Sequence, residues 1–127
     1  MISSLTPDCL VERAAPGAVP AVRKATMRDI AGILDLINGY ARKGLMLPRT
    51  EFELSENIRD FTVITAGDGI VLGAGALHFY SPTVGEIRSL AVHEDAKAHG
   101  VGRRLVESLV AEADEYCLDA VFAFTYA

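Results

Sequence analysis

The spacing with the clearest chemical meaning in this chain is Lys97-x-x-Gly100-x-Gly102, followed at once by Arg103 and Arg104. A strand-like stretch, residues 86–92, leads into it, and an amphipathic helical pattern leads out. The first N–H groups of a helix have no intrahelical partners and carry partial positive charge, so a helix start can hold an anion. Gly100 and Gly102 have no Cβ, which lets the backbone approach that anion closely. Lys97, Arg103 and Arg104 add cationic charge, and the ligand this predicts is a phosphate or pyrophosphate. The plainer alternative is a Gly-x-Gly turn before an ordinary helix. No Gly-Lys-Ser/Thr follows the glycines and the third glycine of a dinucleotide fold is missing, so neither of those loops is present. Just upstream, Glu86 and Arg88 alternate along the strand and share one face. His78, His93 and His99 show no metal-ligand spacing, and no metal is expected. His78 reads as a strand residue facing the cleft or the core, the other two as loop residues.

These residues need a scaffold, and the hydrophobic pattern supplies one. Residues 21–25 read as a short strand. Thr26 and Asp29 form a capping box, behind which Ile30, Ile33, Leu34, Ile37 and Ala41 recur at helical spacing. Gly44 is a helix stop. Thr50 and Glu53 make a second capping box, with Leu54 and Ile58 turned inward. From residue 61 the period changes to that of strands: 61–65, a hairpin turn at Gly67, Asp68 and Gly69, then 70–80. Ser81 and Pro82 break that strand, 86–92 is a central strand, and 95–102 is a loop. A helix from about 103 to 117 carries Leu105, Val106, Leu109, Val110 and Ala113 on one face, and 118–126 is a last strand. The order predicts an α/β fold with a mixed sheet flanked by helices, not a doubly wound one.

The 127 residues suffice for one domain, expected over 21–127 behind an irregular arm at 1–20. Half are hydrophobic and 23% charged, as in a globular chain. A net charge of −5 argues against nucleic acid or an anionic membrane as partner, since both favour basic surfaces. No run of 18 apolar residues and no secretory signal are seen, so a cytoplasmic location is expected. Cys9 and Cys117 could pair, but read better as two ordinary thiols.

A strand ending at Ala91 and Val92, a short acidic loop, and Lys97-x-x-Gly100-x-Gly102 before a helix resemble the acetyl-CoA motif of the GNAT superfamily of N-acetyltransferases. Lys97 stands where that motif usually has Arg or Gln, a mild departure. The order of elements over 21–126 agrees with the superfamily. The resemblance implies acetyl-CoA as co-substrate, with amides from about Ala98 through His99, Gly100, Val101 and Gly102 to Arg103 holding its pyrophosphate, Lys97 and Arg104 alongside. It also implies that the backbone of Leu90, Ala91 and Val92 pairs with the pantetheine arm like an added strand. A narrower resemblance, to short bacterial N-acetylglutamate synthases and the acetyltransferase part of longer ones, rests on residues 33–37, 44–50, 58–63 and 85–88 together. It implies acetyl transfer to the α-amine of L-glutamate, the opening step of arginine biosynthesis.

Within that resemblance Glu86 is the candidate base, because an amine must be neutral to attack a thioester; the alternative is an idle charge at a strand start. Arg88 could fork onto a substrate carboxylate, or pair with Glu86 instead. Arg49 is a second carboxylate candidate, or simply an exposed loop arginine. The proton donor for the leaving thiolate sits, in many relatives, on a helix after the last strand seen here, and Tyr126 is not assigned that role. The superfamily fold normally continues past this point, so the fold is expected to be C-terminally incomplete. An uncovered last strand would favour edge pairing with another chain, a homodimer among the possibilities. An amino-acid N-acetyltransferase and a non-catalytic acetyl-CoA-binding or regulatory module both stay open, as do another small amine or a protein N-terminus as acceptor.

Overall fold

The structure is a computed structural model that describes residues 20–124. The expected arm at 1–19, with Cys9, and residues 125–127, with Tyr126, lie outside the described residues. Strand β1 (Val22–Lys24) is followed by a 3-10 turn (Met27–Asp29) and helix α1 (Ile30–Arg42). Helix α2 (Glu51–Asn57) and a second 3-10 turn (Ile58–Asp60) precede β2 (Phe61–Thr65), β3 (Val71–Phe79) and β4 (Val84–Val92). A third 3-10 turn (Glu94–His99), helix α3 (Val101–Glu115) and β5 (Ala120–Ala123) complete the order. The five strands lie in sequence order in one sheet. The first four are antiparallel neighbours, and β5 runs parallel to β4, its connection being the α3 crossover. No helix among the described residues is long and apolar enough to cross a membrane.

Helix α1 buries Ile30, Ile33 and Ile37 against Phe61, Val63, Ala74, Ala76 and Ala91 on one face of the sheet. Helix α3 covers the other face, with Leu105 and Val101 on Ile64 and Leu109 and Ala113 on Leu77 and Ile87. Two glycines let α3 lie directly on β3. A Cβ at Gly73 would sit 2.7 Å from Val101 and 2.8 Å from Leu105, and one at Gly75 would meet Leu109 at 3.0 Å.

Both capping boxes form. Asp29 does two jobs at once: Oδ2 takes the Thr26 N–H at 2.7 Å, while the Arg23 guanidinium donates to both carboxylate oxygens at 2.8 and 2.9 Å. Burial pushes the Asp29 carboxyl up, but Arg23 and the Thr26 bonds outweigh it and the net shift is downward. Its stabilisation is therefore present above the ordinary aspartate pKa and lost as pH falls through the lower folded value. Asp29→Asn is expected to cost about 1.5–3 kcal/mol near pH 7, the range for hydrogen bonds to charged groups. Urea melts at pH 7 and pH 2.5 check this: the difference between variant and wild type should shrink at the acid end.

Four details differ from the sequence expectations. Helix α3 begins at Val101, not near 103, and most of the expected loop is the 3-10 turn Glu94–His99. The cause is Gly100, whose φ of 72° ends one helical segment and starts the next in a new direction. The inward face of α1 includes Tyr40, 8% exposed, which the periodic reading passed over in favour of Ala41. On α3, Val110 is exposed, because the buried stripe 101, 105, 109, 113 follows a strict four-residue step. Within the described residues β5 is shorter than expected, Ala120–Ala123.

Candidate functional site

Strand β4 carries the site because its two edges are treated differently. Towards β3 it is paired between Gly85 and Val92, whereas among the described residues β5 accompanies it as far as the Ile87↔Ala123 pair. The β3 register breaks on the way: Ala76 faces Arg88, yet Ala74 faces Ala91, so β4 holds one extra residue. Ser89 absorbs it at φ 54°, a left-handed conformation uncommon for a residue with a side chain. The bulge returns Ala91 to the α1 face, where Glu86 and Arg88 also lie. Beyond it the His93 N–H donates to the Leu72 carbonyl at 2.7 Å. That makes Gly73↔Val92 a non-hydrogen-bonded pair, so the N–H and C=O of Val92 point away from β3 and into the gap beside β5. The Tyr40 hydroxyl donates to that Val92 carbonyl.

The gap continues in both directions. Around Glu86 it opens into a cleft of about 710 Å³ walled by β4 on one side and the α1–α2 loop on the other, with Arg49, Glu53, Arg88 and Phe124 on its lining. Around Gly100 it opens into a second cleft of about 490 Å³, bounded by Tyr40, Val92, Lys97, Gly102 and Arg103. Leu45, Met46 and Leu90 line both, so the two form one trough from the start of α3 to Glu86.

At the α3 end no side chain caps the helix. The first intrahelical bond is Arg104 N–H to the Gly100 carbonyl, 3.0 Å, which leaves the N–H groups of Val101, Gly102 and Arg103 for a ligand. Nothing lies within 4 Å of where a Gly100 Cβ would stand, so the approach is open. Ala98 and His99 belong to the preceding 3-10 turn. The Val101 side chain is buried in the core, and Gly100, Gly102 and Arg103 line the cleft beside it. The Arg104 guanidinium donates to the Pro20 carbonyl at 2.5 Å and does not line either cleft. Lys97 does line the trough, its ammonium 5.0 Å from the Tyr40 ring centre and 3.4 Å from Glu94. The Tyr40 hydroxyl and the Glu94 carboxylate beside it raise the Lys97 pKa, and Lys97 in turn lowers that of Glu94.

At the other end Glu86 is 9% exposed and its Oε1 accepts the Arg88 Nε–H at 2.6 Å. The pair leaves Glu86 Oε2 and both Arg88 Nη groups without a hydrogen-bond partner among the described residues. His78 stands directly across from Glu86 on β3 and is half-buried. Nearby, burial raises the Asp60 pKa against the opposing charges of His78, Lys24 and Arg88, with Glu112 adding to the rise. Arg49 reaches the cleft from the α1–α2 loop with its guanidinium 4.0 Å from Glu53. No group of His, Cys, Asp and Glu among the described residues is arranged to hold a metal ion.

Two residues of this site escaped the sequence reading. Tyr40 was legible only as an aromatic three positions after Ile37, whose buried hydroxyl would need a partner. Asn38 lies outside the apolar stripe of α1. Its side chain in fact accepts the Arg49 N–H at 3.0 Å and donates to the Arg49 carbonyl at 3.1 Å, a contact eleven residues away that no periodicity announces.

Comparison with known proteins gives this geometry a context. Residues 31–127 match the profile described as Acetyltransferase (GNAT) family. An uncharacterized N-acetyltransferase of Chlorobaculum tepidum is 41% identical, over 87% of this chain and 70% of that protein. An amino-acid acetyltransferase of Mycobacterium tuberculosis is 36% identical, over 84% of this chain and 62% of its own length. Among solved structures, an N-acetylglutamate synthase of Neisseria gonorrhoeae complexed with coenzyme A and N-acetyl-glutamate superposes with a TM-score of 0.79 at 31% identity. It is covered by 87% of this chain, which spans only 26% of that longer one.

Proposed function

The chain belongs to the GNAT acetyltransferase family, and from that premise we propose that it transfers the acetyl group of acetyl-CoA to the α-amine of L-glutamate. The observation that carries the reading is the single trough that joins the uncapped start of α3 to the Glu86–Arg88 pair. A pyrophosphate fits the α3 end: three free amides converge there, Gly100 and Gly102 keep Cβ atoms out of the way, and Lys97 and Arg103 supply charge. The outward N–H of Val92 is available to a pantetheine carbonyl, as an added strand would use it. An arm running from one end to the other leaves its thioester beside Glu86.

The reaction then balances simply. The acceptor enters as an ammonium and must lose one proton to become nucleophilic, and Glu86 Oε2 takes that proton directly or through one water. The neutral amine attacks the thioester carbonyl, the new C–N bond forms, and the C–S bond breaks to release CoA as thiolate. The amine's second proton leaves with the collapse, so that one proton is available for the departing sulfur. Arg88, oriented through Nε by Glu86, presents its two Nη groups to a carboxylate. Arg49 offers a second cation from the facing loop, which matches an acceptor with two carboxylates.

The test is acetyl-CoA-dependent thiol release with L-glutamate, measured beside a panel of other amino acids, polyamines and a peptide with a free N-terminus. Release that is fastest with glutamate supports the assignment. Release with other amines only would move the acceptor and keep the acetyltransferase, whereas tight CoA binding without turnover would indicate a binding module. The cofactor end has its own prediction. At Gly102 an added Cβ would already touch Val92 at 3.4 Å, so the rest of a leucine must project into the trough. Gly102→Leu is expected to weaken CoA binding by about tenfold or more, roughly 1.4 kcal/mol, with little change in melting temperature. An unchanged CoA affinity by calorimetry would remove the pyrophosphate site.

A further inference from the structure

We propose that Asn38, on α1, is a positioning residue that sets acceptor recognition by fixing Arg49 in the wall of the cleft; this rests on the glutamate reading above. The α1–α2 loop is secured at its start by α1 itself, through Gly44 N–H to the Ala41 carbonyl at 2.9 Å and Leu45 N–H to the Tyr40 carbonyl at 3.0 Å. Its far end reaches α2 at the Thr50 cap, where Glu53 Oε1 accepts the Thr50 N–H at 3.0 Å. Between those anchors, the Asn38 amide holds Arg49 by both backbone groups, N–H and C=O, as a strand partner would. Both bonds are partly buried, so water competes with them poorly. Because the side chain is a primary amide, it satisfies one donor and one acceptor at once, which no other small residue does without a change of charge. The Arg49 guanidinium lies 4.0 Å from Glu53 Oε2.

Arg49 and Arg88 line one cleft from opposite elements, loop and strand. Two cations on facing walls read two carboxylates only if the gap between them is constant. The strand wall is set by the sheet, since β4 pairs with β3 from Gly85 through Arg88 and again at Ala91 and Val92 beyond the bulge. The loop wall has Asn38 as its link from Arg49 to α1. Removing that link should let the loop drift, and displacement of a positioning group by about 1 Å can cost on the order of a hundredfold. Acetyl-CoA should feel it little, because Arg49 does not line the cleft beside Gly100 and the loop start at Leu45, which does, is anchored separately to α1.

The experiment compares wild type, Asn38→Ala and Asn38→Asp by KM for L-glutamate, KM for acetyl-CoA, and hydrogen exchange at the Arg49 amide. Alanine is the best helix former, so Asn38→Ala does not weaken α1 itself. The expected result for Asn38→Ala is a rise in glutamate KM of about tenfold to a hundredfold, acetyl-CoA KM within about twofold, and faster exchange at Arg49. Asn38→Asp keeps the acceptor for the Arg49 N–H and loses the donor, so it should fall between the two, and it carries the test if the alanine variant does not fold. An unchanged glutamate KM, or a parallel rise of both KM values, overturns the proposal while leaving the acetyltransferase in place. A wild type that does not acetylate glutamate overturns the acceptor reading and this inference with it.

Discussion

Glu86→Gln is expected to lower kcat at neutral pH by about 10²–10⁴-fold, the usual loss when a general base is removed, while acetyl-CoA still binds. Glutamine matches glutamate in size and keeps an oxygen for the Arg88 Nε–H, so the local packing should survive. What it lacks is the basic Oε2, the oxygen left without a partner beside Arg88. Glu86 is nearly buried, so bulk water has little access to replace it. Single-turnover acetyl transfer, with CoA affinity measured in parallel, separates the chemical step from binding. A rate within about twofold of wild type would make Glu86 a structural partner of Arg88, with the amine losing its proton to solvent.

Arg88→Ala should strike the acceptor instead. An arginine–carboxylate contact that is desolvated on binding is worth roughly 2–5 kcal/mol when truncated. Arg88 is more than a third exposed before substrate arrives, which places the effect at the lower end. About 2 kcal/mol corresponds to roughly a thirtyfold rise in glutamate KM. Acetyl-CoA KM should stay nearly constant. The truncation also unpairs Glu86, and kcat can move for that reason alone. The ratio of kcat/KM for glutamate to that for an amine without carboxylates cancels this shared term, because both acceptors need the same base. The ratio should collapse in Arg88→Ala and recover only partly in Arg88→Lys, where the charge remains but the fork is lost. A wild type that acetylates the carboxylate-free amine as readily as glutamate leaves Arg88 without this role.

Much of the scaffold was legible in the chain because it follows from local rules. Thr26 with Asp29 and Thr50 with Glu53 are capping boxes by spacing alone, and both form. The change from a helical to an alternating pattern at Phe61 marks the start of β2, and Gly67, Asp68 and Gly69 mark the turn before β3. The glycine loop was visible as well: glycines between a strand and an amphipathic helix need no tertiary information to be recognised. Its extent was not. Helix α3 begins at Val101, directly after the left-handed Gly100 and two residues earlier than expected, and Val101 and Leu105 pack where a Gly73 Cβ would stand.

What the sequence determined by itself was the order of elements, the caps, the glycine loop and the shared face of Glu86 and Arg88, all consequences of spacing within one segment. Only the tertiary structure decided the rest. The bulge at Ser89 arises from the register of β4 against β3, and the gap after Ile87 lies beyond the last β4–β5 pair among the described residues. The bonds from Tyr40 to Val92 and from Asn38 to Arg49 join residues 52 and 11 positions apart. Burial of a hydroxyl or an amide demands a partner, but the chain's own pattern cannot say which one, because that choice is made by whichever backbone group the packing of helix on sheet brings within reach.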